Sequence, residues 1–283
     1  MNKVGWGIMP NASVVGPLPS ARARESQLLA RFDRSFSTEE ATSPELLKSA
    51  LALRYQVYCL EREFENAAHY ADRLETDELD RRSVHGLIFH RLRGKALGTV
   101  RLILPECMAV PLPVQKLLKE LDIDTYHYFP LQQTAEVSRF AISRELRRHY
   151  PGKIGEEDYE AGRECQGNLP CLGLVQILVR MSLARNISYW TALMEPKLLR
   201  MLAAMGIHFS PVGPLISYHG IRQPSFCHVP TMLEQLSFKK PDNWDIVTDG
   251  GNLSYPAAVE ADLRKVLAPR ILLNSMKFDY LHR

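Results

Sequence analysis

The chain has no apolar run of the ~18–20 residues that a membrane span needs, so no spanning helix is expected. It also has no G-x-G-x-x-G and no P-loop, which leaves a dehydrogenase or a kinase without sequence support. Cysteine is sparse: the five residues at 59, 107, 165, 171 and 227 form no C-x-x-C pair. Cys165 and Cys171, separated by five residues, lack the paired histidines of a zinc site. The odd count argues against a disulfide framework and for free thiols in a reducing compartment. Excess charge is missing too: +3 over 283 residues is no electrostatic footprint for nucleic acid. The opening stretch MNKVGWGIMPNASVVGPLPSARARES lacks the apolar core of an export signal, and a cytoplasmic location is the expectation.

What is present suggests one mixed α/β sheet. Residues 1–30 mix Gly, Pro, Ser and Arg without a period and read as a flexible N-terminal segment. RFDRSF (31–36) is read as a short strand through Phe32 and Phe36. In TSPELLKSALALRYQVYCLE, Ser43 suits an N-cap, Pro44 the first helical position and Glu45 the positive end of the dipole. SVHGLIFHRL (83–92) and ALGTVRLIL (96–104) read as a hairpin turning at RGK, followed by a loop rich in Pro and Leu. TAEVSRFAIS (134–143) alternates like a third strand. The charged stretch 144–170 reads as mobile, 171–186 as a helix, 187–194 as a strand and 195–206 as a helix with Pro at its start and Gly at its end. IHFSPVG reads as a further strand, and YPAAVEADLRKVLA as the one helix after 225, ahead of a basic tail. No internal repeat is visible. The order predicts a mainly antiparallel sheet flanked by helices, not a doubly wound parallel one.

LETDELDRR (74–82) places Glu75, Asp77, Glu78 and Asp80 within six residues, with no Gly or Asn to make a calcium loop. Such carboxylates repel one another unless cations neutralise them. Three arginines sit where arginine is not expected: Arg54 in the apolar stripe Leu47, Leu51, Arg54, Tyr58 of a helix, Arg101 in mid-strand, and Arg139 within EVSRFAI. Buried arginine is seldom tolerated without a carboxylate, and its two-pronged donor geometry suits one. The acidic loop is therefore read as one side of an Arg–carboxylate network. The alternatives are a solvated loop and arginines that snorkel outward. No metal site is expected, since no histidine is interleaved with the acids, and His85 and His90, five apart on a strand, point to opposite faces. Alternation likewise sends Arg139 to the side away from Glu136 and Ser138.

LRYQVYCLEREFE (53–65), ETDELDRRSVH (75–85), GTVRLILP (98–105), AEVSRFAIS (135–143), MEPKLLRMLAAMGI (194–207) and GPLISYHGIRQP (213–224) together resemble the PEP-CTERM/exosortase system-associated acyltransferases. That family is related to the N-acyl amino acid synthases and, more distantly, to the acyl-homoserine-lactone synthases, all similar to the GNAT fold. The resemblance implies an α/β, GNAT-like domain over 31–224, with 225–283 as a C-terminal extension. The lactone synthases share a helix Arg, an E-x-D-x-x-D run, a hairpin-strand Arg and E-x-x-R. These fall here on Arg54, on Glu75, Asp77 and Asp80, on Arg101, and on Glu136 with Arg139. Where those synthases usually carry Trp after the helix, this chain has EREFE, a departure at the S-adenosylmethionine side.

The chemistry implied is acyl transfer from a thioester to an amine. Glu136, Ser138 and Arg139 are the expected catalytic group, with Glu136 as base. Arg54, Tyr58, Glu75, Asp77, Asp80, Arg101 and Phe140 are the expected substrate-binding set. The structural alternative for Glu136 is an ion pair with Arg54 or Arg101. No bound cofactor is expected. The donor would be an acyl-4'-phosphopantetheine thioester on acyl-carrier protein rather than CoA, because RECQGNLPCLG is a degraded form of the Q/R-x-x-G-x-G/A loop. Arg144, Arg147, Arg148 and Lys153 would dock the acidic carrier, with a solvated basic loop as the alternative. Expected partners are the carrier protein and a small amine acceptor, with peripheral membrane contact through a lipid product. Two other classes stay open: a lactone synthase using S-adenosylmethionine, and a non-catalytic relative that binds lipid or a partner in the exosortase system.

Overall fold

A computed structural model describes residues 26–92, 94–106, 110–123, 130–144, 168–218 and 220–256. The N-terminal segment 1–25, the stretch 145–167 and residues 257–268 of the helix read after 225 fall outside the described residues, as do Arg147, Arg148 and Lys153.

Helix α1 (Gln27–Ser35) leads into strand β1 (Phe36–Glu40), then α2 (Pro44–Tyr55), β2 (Ser83–His90), β3 (Lys95–Ile103), α3 (Pro113–Glu120) and β4 (Thr134–Ile142). Helix α4 (Leu169–Leu183), β5 (Tyr189–Met194), α5 (Pro196–Ala204), β6 (Ser210–Pro211), β7 (Ile216–Ser217), β8 (Ile221–His228), α6 (Val229–Lys239) and α7 (Pro241–Thr248) follow. Eight strands form the order β1-β2-β3-β4-β5-β8-β6, with β7 on β8. Every pairing is antiparallel except β4–β5. The expected mixed, mainly antiparallel GNAT-like sheet flanked by helices is present.

One face of the sheet is apolar and carries α4, whose residues are buried nearly all round. Close approach is set by two glycines. A Cβ on Gly173 would lie 2.3 Å from Ile88 Cδ1, and one on Gly86 would lie 2.7 Å from Ile177 Cγ2. Helices α6 and α7 complete this layer through Val229, Met232, Leu233, Leu236, Ile246 and Val247. The other face is covered by α2 and by the segments that follow it, and it is rich in polar groups.

Helix α2 begins as its sequence dictates: Ser43 Oγ accepts from the Leu46 amide, with Pro44 at the first turn. It then loosens into a π-turn (Gln56–Glu61), an irregularity that no residue pattern announced. Three other expectations are corrected. Residues 31–35 are helical, because the Phe32–Phe36 spacing of four repeats in phase with both a helix and a strand and cannot separate them. The loop after β3 contains α3, started by Pro113. A boundary at 225 cuts through β8, which pairs with β5 from Tyr189↔His228 to Met194↔Gln223. Residues 225–248 therefore belong to the sheet and its core. IHFSPVG contributes only the two-residue β6.

Candidate active site

The 74–82 loop lies against the polar face of the sheet. Asp77 caps a short 3-10 turn (Glu78–Arg82), accepting from the Leu79 amide, while Asp80 accepts from the Asp77 amide. This reciprocal box fixes which acids point inward: Glu75, Asp77 and Asp80 do, whereas Glu78 is exposed.

All three unexpected arginines meet them. Arg54 Nε lies 2.5 Å from Glu75 and its Nη1 lies 2.6 Å from Asp80. Arg101 Nη1 lies 2.6 Å from Asp77 and 2.7 Å from Asp80, and its Nε donates to Ser138 Oγ at 2.9 Å. Arg139 Nη2 lies 2.8 Å from Glu75 and 3.2 Å from Asp77. Three cations and three anions thus neutralise one another. Burial raises the Glu75 carboxyl, but hydrogen bonds from Arg139 and Arg54 outweigh it and leave the group at about 2. Asp80 is likewise raised by burial and carried well below the usual range by Arg54 and Arg101. His85 stands 3.6 Å from Asp80, a neighbour the sequence reading did not give it. Burial, followed by the charge of Arg54, lowers His85 to about 4 and keeps it neutral.

Arg139 corrects the alternation rule. Thr99 pairs with Ala141 but Arg101 pairs with Ser138, so β4 carries one extra residue at this point. Arg139 takes φ 50° there, a left-handed conformation uncommon for a side chain other than glycine. The bulge turns it to the side of Ser138, where its guanidinium also covers the Tyr58 ring at 5.2 Å. Phe140 goes elsewhere and packs against the main apolar core.

Glu136 is 3% exposed. Its Oε2 accepts from the Val114 amide in the first turn of α3 at 2.8 Å. Its hydrogen bond thus comes from α3, while Arg54 and Arg101 bond to Glu75, Asp77, Asp80 and Ser138. Burial raises Glu136 to about 7 against the opposing pull of that amide. A carboxyl poised there can take or give a proton near neutrality.

Beside it the sheet opens. Strands β4 and β5 pair only from Thr134↔Tyr189 to Val137↔Ala192. Beyond that, β4 continues along β3 to Ile142 and β5 continues along β8 to Met194. The slot begins at the bulge, and the β5-facing edge of residues 138–142 is left without a strand partner. Near the end of β5, Glu195 lies 3.4 Å from Arg62 and 3.7 Å from Arg222, and both guanidinium groups lie over Phe64. Past the end of β4, Glu61 accepts from Ser143 Oγ at 2.5 Å and from the Arg144 amide at 2.7 Å; Arg144 itself is exposed. Among the described residues there is no cluster of three or more His, Cys, Asp or Glu able to hold a metal, and no helix is long and apolar enough to cross a membrane.

Residues 53–151 match the family model described as the acetyltransferase (GNAT) domain, a span that holds Arg54, the acidic loop, Arg101 and β4. The chain therefore carries a GNAT-type acyltransferase domain. No curated protein matches the chain. Among solved structures, TofI in complex with an inhibitor and MTA has a TM-score of 0.50 at 18% identity, covering 71% of this chain and 96% of its own. The AHL synthase LasI has 0.48 at 19% identity, covering 70% and 93%. FeeM, an N-acyl amino acid synthase from uncultured soil microbes, has 0.47 at 16% identity, covering 72% and 96%. The likeness to TofI is one of fold.

Proposed function

We propose that the chain is an N-acyltransferase that moves a long acyl group from the phosphopantetheine thioester of an acyl-carrier protein to the amine of an amino acid or similar small acceptor. The observation that carries this reading is the position of Glu136: a buried carboxyl near neutrality, two residues before the point where β4 and β5 part.

The donor arm would lie in the slot, with unpaired amides of β4 holding it and polarising the thioester carbonyl. An ammonium acceptor must lose a proton before it attacks. Glu136 would take it, directly or through water, and the thiol would leave protonated. Arg54, Glu75, Asp77, Asp80 and Arg101 would form the rigid wall on the acceptor side, and Tyr58 and Arg139 its lining. Ser138, held by Arg101, would fix the strand at the mouth of the slot. Arg144, Arg147, Arg148 and Lys153 would steer an acidic carrier protein by charge. The sequence resemblance is the ground for placing the reaction in the PEP-CTERM/exosortase system.

The experiment is a purified-enzyme assay. Hexadecanoyl-acyl-carrier protein and hexadecanoyl-CoA are offered in parallel with an amino-acid mixture and with S-adenosylmethionine, and products are read by mass spectrometry. N-acyl amino acids from the carrier thioester support the proposal. Acyl-homoserine lactones would replace it with a lactone synthase, and no product with either donor would sink the enzymatic assignment of this slot.

A further inference from the structure

The EREFE stretch, residues 61–65, contains an arginine and a phenylalanine that the transfer reaction has not used. The Phe64 ring carries the guanidinium of Arg62, 5.8 Å from its centroid, and that of Arg222, 5.5 Å away. Its centroid lies 6.4 Å from that of Tyr58, and Tyr58 in turn lies beneath Arg139. These contacts form a continuous row from Arg139 on β4 to Arg222 on β8, spanning the slot. Alternation places the far end of the row on the face of Glu136. Thr191 is the register partner of both Glu136 and Phe226, and Glu195 and Arg222 each stand four residues from that level.

The two ends of the row differ in charge. At the Arg139 end the three arginines already have three carboxylates, and Glu65 adds a further acid 3.8 Å from Arg139. At the other end two guanidinium groups share Glu195, the one carboxylate within 4 Å of either among the described residues. The remaining acids of the stretch are placed elsewhere: Glu61 accepts from Ser143 and Arg144, and Glu63 is exposed. Arg222 is the less satisfied of the pair. Its side chain is only 12% exposed, yet it stands 3.7 Å from Glu195, outside hydrogen-bond reach. Its one hydrogen bond among the described residues goes to the neighbouring Ile221 carbonyl at 3.2 Å. Arg54, Arg101 and Arg139, by contrast, each lie within 2.8 Å of a carboxylate. A mostly buried guanidinium with unspent donors, beside a surplus positive charge, calls for an anion.

We propose that Arg62 and Arg222, held over Phe64, bind the carboxylate of the acceptor, so that the acceptor is an amino acid and not a simple amine. The inference rests on the acyltransferase reading and deepens it. Position favours the acceptor's carboxylate over the donor's phosphate. Glu195 and Arg222 stand four residues beyond the Glu136 level and Arg139 three, so the pair is level with the bulge, where the thioester carbonyl would be held. The donor's phosphate would lie an arm's length farther out. Four residues of strand span about 13 Å, room for a small acceptor and a water between base and clamp. The planar guanidinium suits a carboxylate, which it meets through two parallel N–H donors. This carboxylate does not react: the amine nitrogen displaces the thiol, and the group passes unaltered into the product, which the same pair would hold.

The test offers the full chain hexadecanoyl-acyl-carrier protein with an amino-acid mixture and, in parallel, with the matching amino-acid amides, which keep the amine and lose the charge. Wild type should prefer the acids about ten- to a hundredfold in kcat/KM, the worth of hydrogen bonds to a charged group. Arg222→Gln and Arg62→Gln should raise KM for the acids by a similar factor, leave KM for the donor in place and bring the preference for acids over amides toward one. A variant that only damages packing would slow acids and amides alike. If Arg222→Gln does not fold, Arg62→Gln, at the more exposed guanidinium, carries the test. Equal use of acids and amides by wild type, or an unaltered preference in both variants, would overturn the clamp. A rise in KM for the donor alone would also overturn it, by giving the pair to the donor's phosphate. If wild type transfers no acyl group, the failure belongs to the functional reading, and calorimetry judges the clamp on its own. N-octanoylglycine should bind wild type more tightly than N-octanoylglycinamide, and Arg222→Gln or Arg62→Gln should abolish the difference. Equal binding of the two, or none of either, overturns the proposal.

Discussion

The guanidinium of Arg139 lies against Glu75, with Nη2 2.8 Å from Oε1, although strict alternation along β4 would send it to the far side of the sheet. One extra residue in β4 makes the contact, and through it the strand that borders the slot is tied to the acidic loop.

Glu75 is fully buried between Arg54 and Arg139. Glu75→Gln leaves both guanidinium groups without their main counter-charge, and breaking a buried pair typically costs about 3–5 kcal/mol. A large fall in the urea midpoint is expected, and chelators should change nothing. A melting temperature that drops with EDTA would contradict the ion-pair account of the loop.

Stability should depend on pH through groups that pull in opposite directions. Glu75 has a folded value of about 2 against 4.5, so its contribution is complete above about 4.5 and is lost as pH falls toward 2. His85 and His228 lie at about 4 against 6.5, so their contributions are complete above 6.5 and are lost as pH falls through 4. Glu136 has the reverse sign: at about 7 against 4.5, it contributes most below 4.5 and loses that contribution as pH rises through 7. Urea denaturation across the pH range should show wild type losing stability on the alkaline side and Glu136→Gln keeping it. The difference should be on the order of 3 kcal/mol at most.

The same substitution separates chemistry from folding. If Glu136 accepts the acceptor's proton, Glu136→Gln should lower kcat about 10²–10⁴-fold while the protein stays folded. For wild type, kcat/KM should climb with pH through about 7, where the carboxylate forms. In the variant, much of the loss should return at alkaline pH, where free amine is abundant. Wild-type turnover in a folded Gln variant would remove Glu136 from the mechanism.

Carrier docking can be judged by charge reversal. Arg147→Glu together with Arg148→Glu should raise KM for acyl-carrier protein and leave turnover on a short pantetheine thioester nearly intact. The wild-type KM should also rise with salt, as screening weakens the attraction. Equal loss on both donors would show that these residues shape the slot instead.

The sequence by itself determined the members of the charged network. Arg54 interrupts an apolar stripe, four acids crowd into six residues, and Arg101 stands in mid-strand, so charge balance alone could pair the two groups. It also determined α2, whose Ser-Pro-Glu start is a local signal, and the β2–β3 hairpin. The tertiary structure decided the rest, because the information was not local. The bulge that redirects Arg139 is a mismatch in length between two paired strands, which neither strand carries alone. Phe140 was assigned to substrate from its motif, yet the same bulge leaves it against the apolar core. The partner of Glu136 is an amide on α3, a helix that begins twenty-three residues earlier in the chain and that was read as loop. Periodicity shows which way a side chain points within its own element; only the packing of strands shows what it meets there.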